Sequence, residues 1–239
     1  MKYLDLTFSA PEENLACDEA FLELCEEGHE QEILRFWEPR DYFIVLGYSG
    51  KIKEEVNFST CEAGKIRILR RPSGGGTVLQ GPGCLNFALI LKIDNLKMLK
   101  NITQTNQYIL EHHKQALAPI VGSDVEIQGQ SDLTSRMFKF SGNAQRRKRH
   151  FILFHGTFLL NFDISLIEKF LPIPVKQPSY RKNRTHKGFL RNLDIPSQTV
   201  KKALRKVWKA EEILETLPFS KIRELTENRY GNPGWNFKF

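Results

Sequence analysis

The run Arg70-Arg71-Pro72-Ser73-Gly74-Gly75-Gly76-Thr77-Val78 restricts this chain more than any other stretch. Glycine has no Cβ and enters the left-handed region freely, so three in a row let the backbone turn sharply and bring its N–H groups close to an anion. Residues 65–71 read as a strand entering this loop and residues 77–79 as a strand leaving it. No helix follows. That excludes the GxxxxGK[ST] phosphate loop and the GxGxxG dinucleotide loop, each of which opens a helix. Two readings stay open at this point: a glycine hairpin between strands, or a loop holding a carboxylate or phosphate that Arg71 grips at two points.

Alternation predicts a strand at 2–8, apolar runs predict strands at 32–37, 42–46 and 85–91, and further strands are read at 125–127, 137–140 and 151–160. Helices are predicted from Ser9-Ala10-Pro11-Glu12 to about Cys25, with Ser9 as cap, and over 102–117, ending before Pro119. Others run from a cap at Asp163 to Phe170, from Ser197 to about Lys209 as a basic amphipathic helix, and from Ser220 to Tyr230. Residues 51–63 show no clear period. Residues 171–194, rich in Pro, Lys, Arg and Asn, read as a long basic loop of the kind that is functional or mobile. Strands and helices mix without regular βαβ alternation. The expected class is α+β, a mixed, partly antiparallel sheet with flanking helices. One domain over 1–239 is expected, with a helical segment at 195–239.

The 239 residues bury enough surface to need no staples. The four cysteines, Cys17, Cys25, Cys61 and Cys84, show no CxxC spacing, which fits reduced thiols and a cytoplasmic setting. The first residues enter a strand directly, with no leader and no apolar run near membrane length. The net charge of +7 points to an acidic partner or anionic ligand. Basic residues cluster at Arg146-Arg147-Lys148-Arg149 and across 201–209. A nucleic-acid binder would interleave aromatics for base stacking, and only Tyr180 and Trp208 qualify. The patches read better as docking sites for an acidic protein domain.

Lys139 lies in Met137-Phe138-Lys139-Phe140-Ser141-Gly142-Asn143-Ala144-Gln145, where period two sets Phe138 and Phe140 on the opposite face. Taken alone it is a solvent lysine or one point charge facing a cleft. Asp132 and His155-Gly156-Thr157 are polar positions on neighbouring strands. His112 and His113 are adjacent on a helix, point apart, and make no metal pair.

Seven stretches, in order over residues 1–165, resemble the lipoate–protein ligase and octanoyltransferase family, whose fold is shared with biotin protein ligases. They are Asn14-Leu15-Ala16-Cys17-Asp18-Glu19, Val45-Leu46-Gly47, Arg70–Val78, Gly83-Cys84-Leu85-Asn86, Ser131-Asp132-Leu133, Lys139-Phe140-Ser141-Gly142-Asn143-Ala144 and His155-Gly156-Thr157. The resemblance implies an enzyme that uses ATP, with Mg²⁺, to turn lipoate or octanoate into an acyl-adenylate. The acyl group then passes to a lysine on a lipoyl domain of a 2-oxoacid dehydrogenase E2 subunit or on the glycine cleavage H protein. It implies Lys139 as the catalytic cation. The substrate-binding set would be Arg71, Ser73, Gly74, Gly75, Gly76, Thr77, Val78, Leu79, Asn86, Asp132, Ser141, Gly142, Ala144, His155, Gly156 and Thr157, with no metal ligands.

The sequence departs from the ligases of that family in two places. Gln80-Gly81 stands where many carry His-Asp, and only about forty residues follow the basic loop, where many carry an accessory domain that a separate polypeptide would then replace. Both traits also occur in the branch that transfers an octanoyl or lipoyl group through a cysteine thioester without ATP. Its nucleophile lies shortly before the lysine motif or well after it, and residues 122–138 and those beyond Cys84 hold no cysteine. Cys84 reads as a small buried side chain. Ligation is therefore the expected activity, with transfer second.

Overall fold

The computed structural model describes residues 1–93, 99–122 and 124–239. The strands are β1 (Lys2–Asp5), β2 (Ile33–Trp37), β3 (Phe43–Leu46), β4 (Arg67–Arg70), β5 (Val78–Gln80), β6 (Cys84–Lys92), β7 (Val125–Gln128), β8 (Asp132–Ser135), β9 (Phe138–Arg147), β10 (Phe151–Leu159) and β11 (Glu212–Ile213). The helices are α1 (Pro11–Glu26), α2 (Ile52–Glu55), α3 (Phe58–Ala63), α4 (Ile102–Val121), α5 (Ser165–Phe170), α6 (His186–Phe189), α7 (Ser197–Val207), α8 (Phe219–Leu225) and α9 (Pro233–Asn236).

β6 and β10 are mostly apolar on both faces, with Asn86, His155 and Thr157 the polar positions, and they form the middle of the large sheet. Its order is β11-β1-β2-β6-β10-β9-β8-β7, and a smaller sheet has the order β4-β3-β5. Pairing is parallel at β1–β2, β1–β11 and β3–β4, and antiparallel elsewhere. The expected mixed α+β class is what forms.

Alternation along β6 divides the core. Leu85, Phe87, Leu89 and Leu91 join Phe154, Phe158 and Phe140 under α4 and α7. Ala88 and Ile90 join Leu153 and Trp37 under α1 and α8. A third cluster, with Ile44, Leu46, Leu79 and Cys84, backs the small sheet. On the α1 side, β9 and β10 meet the glycine loop, Gly75 lying against Ala144 and Ser73 against His155.

Several expectations are corrected, among them the caps expected at Asp163 and Ser197, which fall at Ile164 and Pro196. The cap of α1 is Ala10, not Ser9, because the Glu13 carboxylate accepts from the Ala10 N–H at 3.3 Å and sets the first turn one residue later. α4 runs through Pro119 to Val121. A proline in a last turn forfeits one N–H, and the Gly122 N–H closes the end on Ala118 O at 3.0 Å. Alternation gives β8 no range, although Asp132 reads as a strand position beside Lys139, and β9 extends well past Phe140. Residues 171–194 are no open loop: a 3₁₀ turn at Ser179–Arg181 and helix α6 bury Tyr180, Arg181, His186 and Phe189. The Arg181 and Arg184 guanidiniums lie 4.7 and 5.1 Å from the Phe189 ring centre. Arg184 donates to the carbonyls of Tyr180 and Met137 at 3.0 and 3.1 Å. Two of the arginines that made the segment read as a basic loop serve to pin it.

Candidate active site

A β-bulge creates the position of Lys139. Thr134 pairs with Lys139 but Leu133 pairs with Ser141, so Phe140 is the extra residue of β9. A bulge shifts the alternation by one. Phe140 goes to the core, and Lys139 and Gly142, three apart, share the α1-side face. Asp132 pairs with Gly142, Gly142 with Thr157, and Thr157 with Asn86, forming one transverse row across four strands. Within it, Lys139 Nζ donates to Asp132 Oδ1 at 2.8 Å. The lysine chain runs over the bare Cα of Gly142, where a Cβ would lie 2.7 Å from both its Cε and its Nζ. Asp132 Oδ2 accepts from the Tyr180 hydroxyl at 2.7 Å.

The next row along the sheet is Ala144, His155 and Ala88, and the glycine loop sits against it. Ser73 Oγ is 2.6 Å from His155 Nε2. Burial, aided by the charge of Arg71, pushes His155 down to about 3. Neutral His155 and the Ser73 hydroxyl share one hydrogen bond, its donor set by the ring tautomer, and Ser73 Oγ also accepts from Arg71 Nε at 3.1 Å. Gly75, at φ +88°, takes a conformation that other residues rarely adopt. Its carbonyl lies so close to Gly47 that a Cβ there would come within 2.0 Å. The Cβ positions of Gly74 and Gly76 meet nothing within 4 Å, so the loop is open on that side. Thr77 closes it by donating to Glu55 Oε2 at 2.6 Å.

Arg71 was expected to grip the ligand. Its guanidinium instead donates to the carbonyls of Gly74 (2.7 Å), Gly76 (2.8 Å) and Val45 (3.3 Å). Burial pushes it down to about 10. Arg70 is also buried and donates to the carbonyls of Gly47, Tyr48, Gly50 and Asn236. Both arginines shape the loop.

Where many ligases are expected to carry His-Asp, Gln80 enters a closed ring of hydrogen bonds. Gln80 Nε2 donates to Thr157 Oγ1 (2.7 Å), Thr157 to Asn86 Oδ1 (2.5 Å), and Asn86 Nδ2 to Gln80 Oε1 (3.1 Å). Of these, Asn86 and Thr157 lie on the same sheet face as Lys139. Val78, on the same face of β5 as Gln80, is exposed. Three expected residues point elsewhere. Leu79 belongs to the third core cluster. Ser141 turns to the opposite face of β9 and donates to Asn143 Oδ1 at 3.4 Å. The Cβ position of Gly156 is filled on that same far face by Asn143 Oδ1, 1.9 Å away. Tyr180 and Glu55 were missed: Tyr180 reaches Asp132 across 48 residues, and no local pattern signals such a contact.

All four cysteines are buried. Cys84 is 1% exposed, and burial pushes its thiol up to about 12. Among the described residues, no group of three His, Cys, Asp or Glu is placed to hold a metal, and no helix is long and apolar enough to cross a membrane. The basic patches are partly engaged internally. Lys201 is buried between Asp5 and Glu38 at 2.8 and 2.6 Å, and Arg147 donates to Leu99 O at 2.6 Å. Arg146, Arg149, Lys202, Lys206 and Lys209 are exposed.

Comparison with known proteins bears on this geometry. The chain is 29% identical over 205 residues to lipoate–protein ligase 1 of Staphylococcus aureus, covering 81% of this chain and 61% of that one. It is 23% identical over 272 aligned positions to octanoyltransferase LipM of Halalkalibacterium halodurans, covering 99% and 98%. It therefore spans about three fifths of the ligase and nearly all of the transferase. In fold it resembles a bi-partite lipoate protein ligase of Thermoplasma acidophilum, solved in a study that included its E2 lipoyl domain, with a TM-score of 0.84 at 24% identity and coverage of 99% and 95%. The lipoyl protein ligase A/B catalytic domain model matches residues 10–215, and the chain belongs to that family.

Proposed function

We propose that the protein is an ATP-dependent lipoate–protein ligase. It joins the carboxylate of lipoate or octanoate to the α-phosphate of ATP, releasing pyrophosphate. It then transfers the acyl group to the ε-amine of a lysine on an acidic lipoyl domain, releasing AMP. In the first step two anions must meet, and Lys139 supplies a cation on the open face where their oxygens would lie. One hydrogen bond to a charged group contributes about 1.5–3 kcal/mol, and more where water is excluded. The glycine loop, open on the side of Gly74 and Gly76, suits the anionic head, and the apolar strands beside it suit the aliphatic tail. Asp132 has both oxygens engaged and serves as the anchor of Lys139. Mg²⁺ would accompany the nucleotide phosphates, as it commonly does.

The state of the thiols carries ligation over thioester transfer. A thiolate is the nucleophile in transfer, and every cysteine here is buried, with Cys84 shifted away from ionising. One observation favours transfer: the chain matches LipM over nearly its whole length. The test is lipoate-dependent exchange of labelled pyrophosphate into ATP by the purified chain. Exchange supports ligation. Absence of exchange, together with acyl transfer from an octanoylated carrier without ATP, replaces it with transfer.

A further inference from the structure

We infer that Tyr180 is a positioning residue for the reaction: its hydroxyl fixes the Asp132 carboxylate so that Asp132 aims Lys139 into the cleft. This rests on the reading of Lys139 as the catalytic cation.

An aspartate held on one oxygen only can rotate about its carboxyl bond and let its partner drift. Asp132 is held on both. Tyr180 donates to Oδ2 at 2.7 Å while Lys139 donates to Oδ1 at 2.8 Å. An ammonium has three N–H donors, so a single anchor leaves the others for substrate oxygens. The phenol is itself well seated. Its ring lies 5.2 Å from that of Phe189, and a Cβ at Gly129 (φ +59°) would come within 3.4 Å of its edge. Burial and the adjacent Asp132 charge raise its pKa, so it stays a donor at any working pH. The segment that carries Tyr180 is also tied to the lysine strand, because Lys139 O accepts from the Arg191 N–H at 3.0 Å and Lys139 bridges to Leu190. The hydroxyl is not needed to close the fold, since the ring contacts survive its removal.

Tyr180→Phe tests this with two readouts. Under the proposed ligase activity, kcat falls about tenfold, the lower end for losing one hydrogen bond to a charged group, while KM for lipoate and ATP stays within about twofold. Independently of any activity, the rate at which an amine-acylating reagent labels Lys139 is measured by mass spectrometry, relative to the other lysines. An ammonium clamped to a carboxylate reacts slowly. The expected result is a several-fold selective rise at Lys139 in Tyr180→Phe, a rise at least as large in Asp132→Asn, and no further rise in the double variant. An unchanged Lys139 rate overturns the inference. A uniform rise across all lysines also overturns it, by giving Tyr180 a merely structural role. If the parent chain shows no exchange activity but selective labelling is seen, the ligase reading fails and the positioning role stands.

Discussion

Gly142→Ala separates the placement of Lys139 from the stability of the fold. The added methyl would lie 2.7 Å from the Cε and Nζ of Lys139, too close for both to stay. The atoms that must yield belong to the free end of a flexible side chain, so the backbone need not move. Displacing Nζ breaks its 2.8 Å contact with Asp132, a pair whose side chains are 26% and 12% exposed. Partly exposed pairs contribute about 0–1 kcal/mol, and replacing glycine in an extended strand returns about 0.4–1 kcal/mol through the unfolded chain. Global stability should therefore change by less than about 1 kcal/mol. The reaction loses a charged contact of about 1.5–3 kcal/mol in the transition state, or roughly 10- to 150-fold in rate. Thermal melting and lipoate-dependent pyrophosphate exchange on the same preparation measure both. Parent-level exchange in a variant with a native melt would show that Lys139 does not act from this position, and the bulge argument would fail.

Other outcomes follow from the same geometry. Lys139→Ala should abolish exchange, and Lys139→Arg should not restore it, because a planar guanidinium cannot occupy the narrow space above Gly142. Cys84→Ala should keep at least half of the parent exchange activity; complete loss would favour a thioester route. His113 is buried with both ring nitrogens unpartnered, packed against Phe87, Phe154, Phe158 and Trp208, and burial pushes it from 6.5 down to about 3. A folded-state pKa below the unfolded one gives stability that is full above pH 6.5 and lost as pH falls toward 3, at up to about 1.4 kcal/mol per pH unit. Urea unfolding of the parent and His113→Leu between pH 7 and 4 should show a shallower acid decline in the variant; parallel declines would refute it.

Much of the fold was legible because β6, β10 and α1 carry long, unambiguous patterns. Local rules failed where a distant group decides. Ser9 looked like the better cap, yet Glu13 fixes the start of α1 at Ala10. The bulge at Phe140 cannot be read from alternation, because alternation assumes that none is present. Strict period two would put Lys139 and Gly142 on opposite faces and Lys139 beside Ser141; the bulge reverses both relations. Residues 171–194 read as a long loop by composition, but Arg181 and Arg184 lie over the Phe189 ring and Arg184 donates to backbone carbonyls, while Lys176, Lys182 and Lys187 stay exposed.

Arg71 shows the same point at the centre of the site. An arginine before three glycines reads as a fork for an anion. The glycines, however, leave carbonyls without strand partners, and those carbonyls need donors. Arg71 serves Gly74, Gly76 and Val45 together with the Ser73 hydroxyl, and through Ser73 it reaches His155. Lysine has three donors on one atom and cannot span this set. Arg71→Lys should therefore loosen the loop before it weakens any ligand contact, at about 1–3 kcal/mol for the buried Val45 carbonyl left unpaired and less for the carbonyls of the exposed Gly74 and Gly76. Amide hydrogen exchange across residues 73–77, measured without ligand, should speed up in the variant, with a lower melting temperature. Unchanged protection with a selective loss of lipoate or ATP affinity would return Arg71 to the ligand, and the loop would then owe its shape to the Glu55–Thr77 contact and the close approach of Gly47 and Gly75.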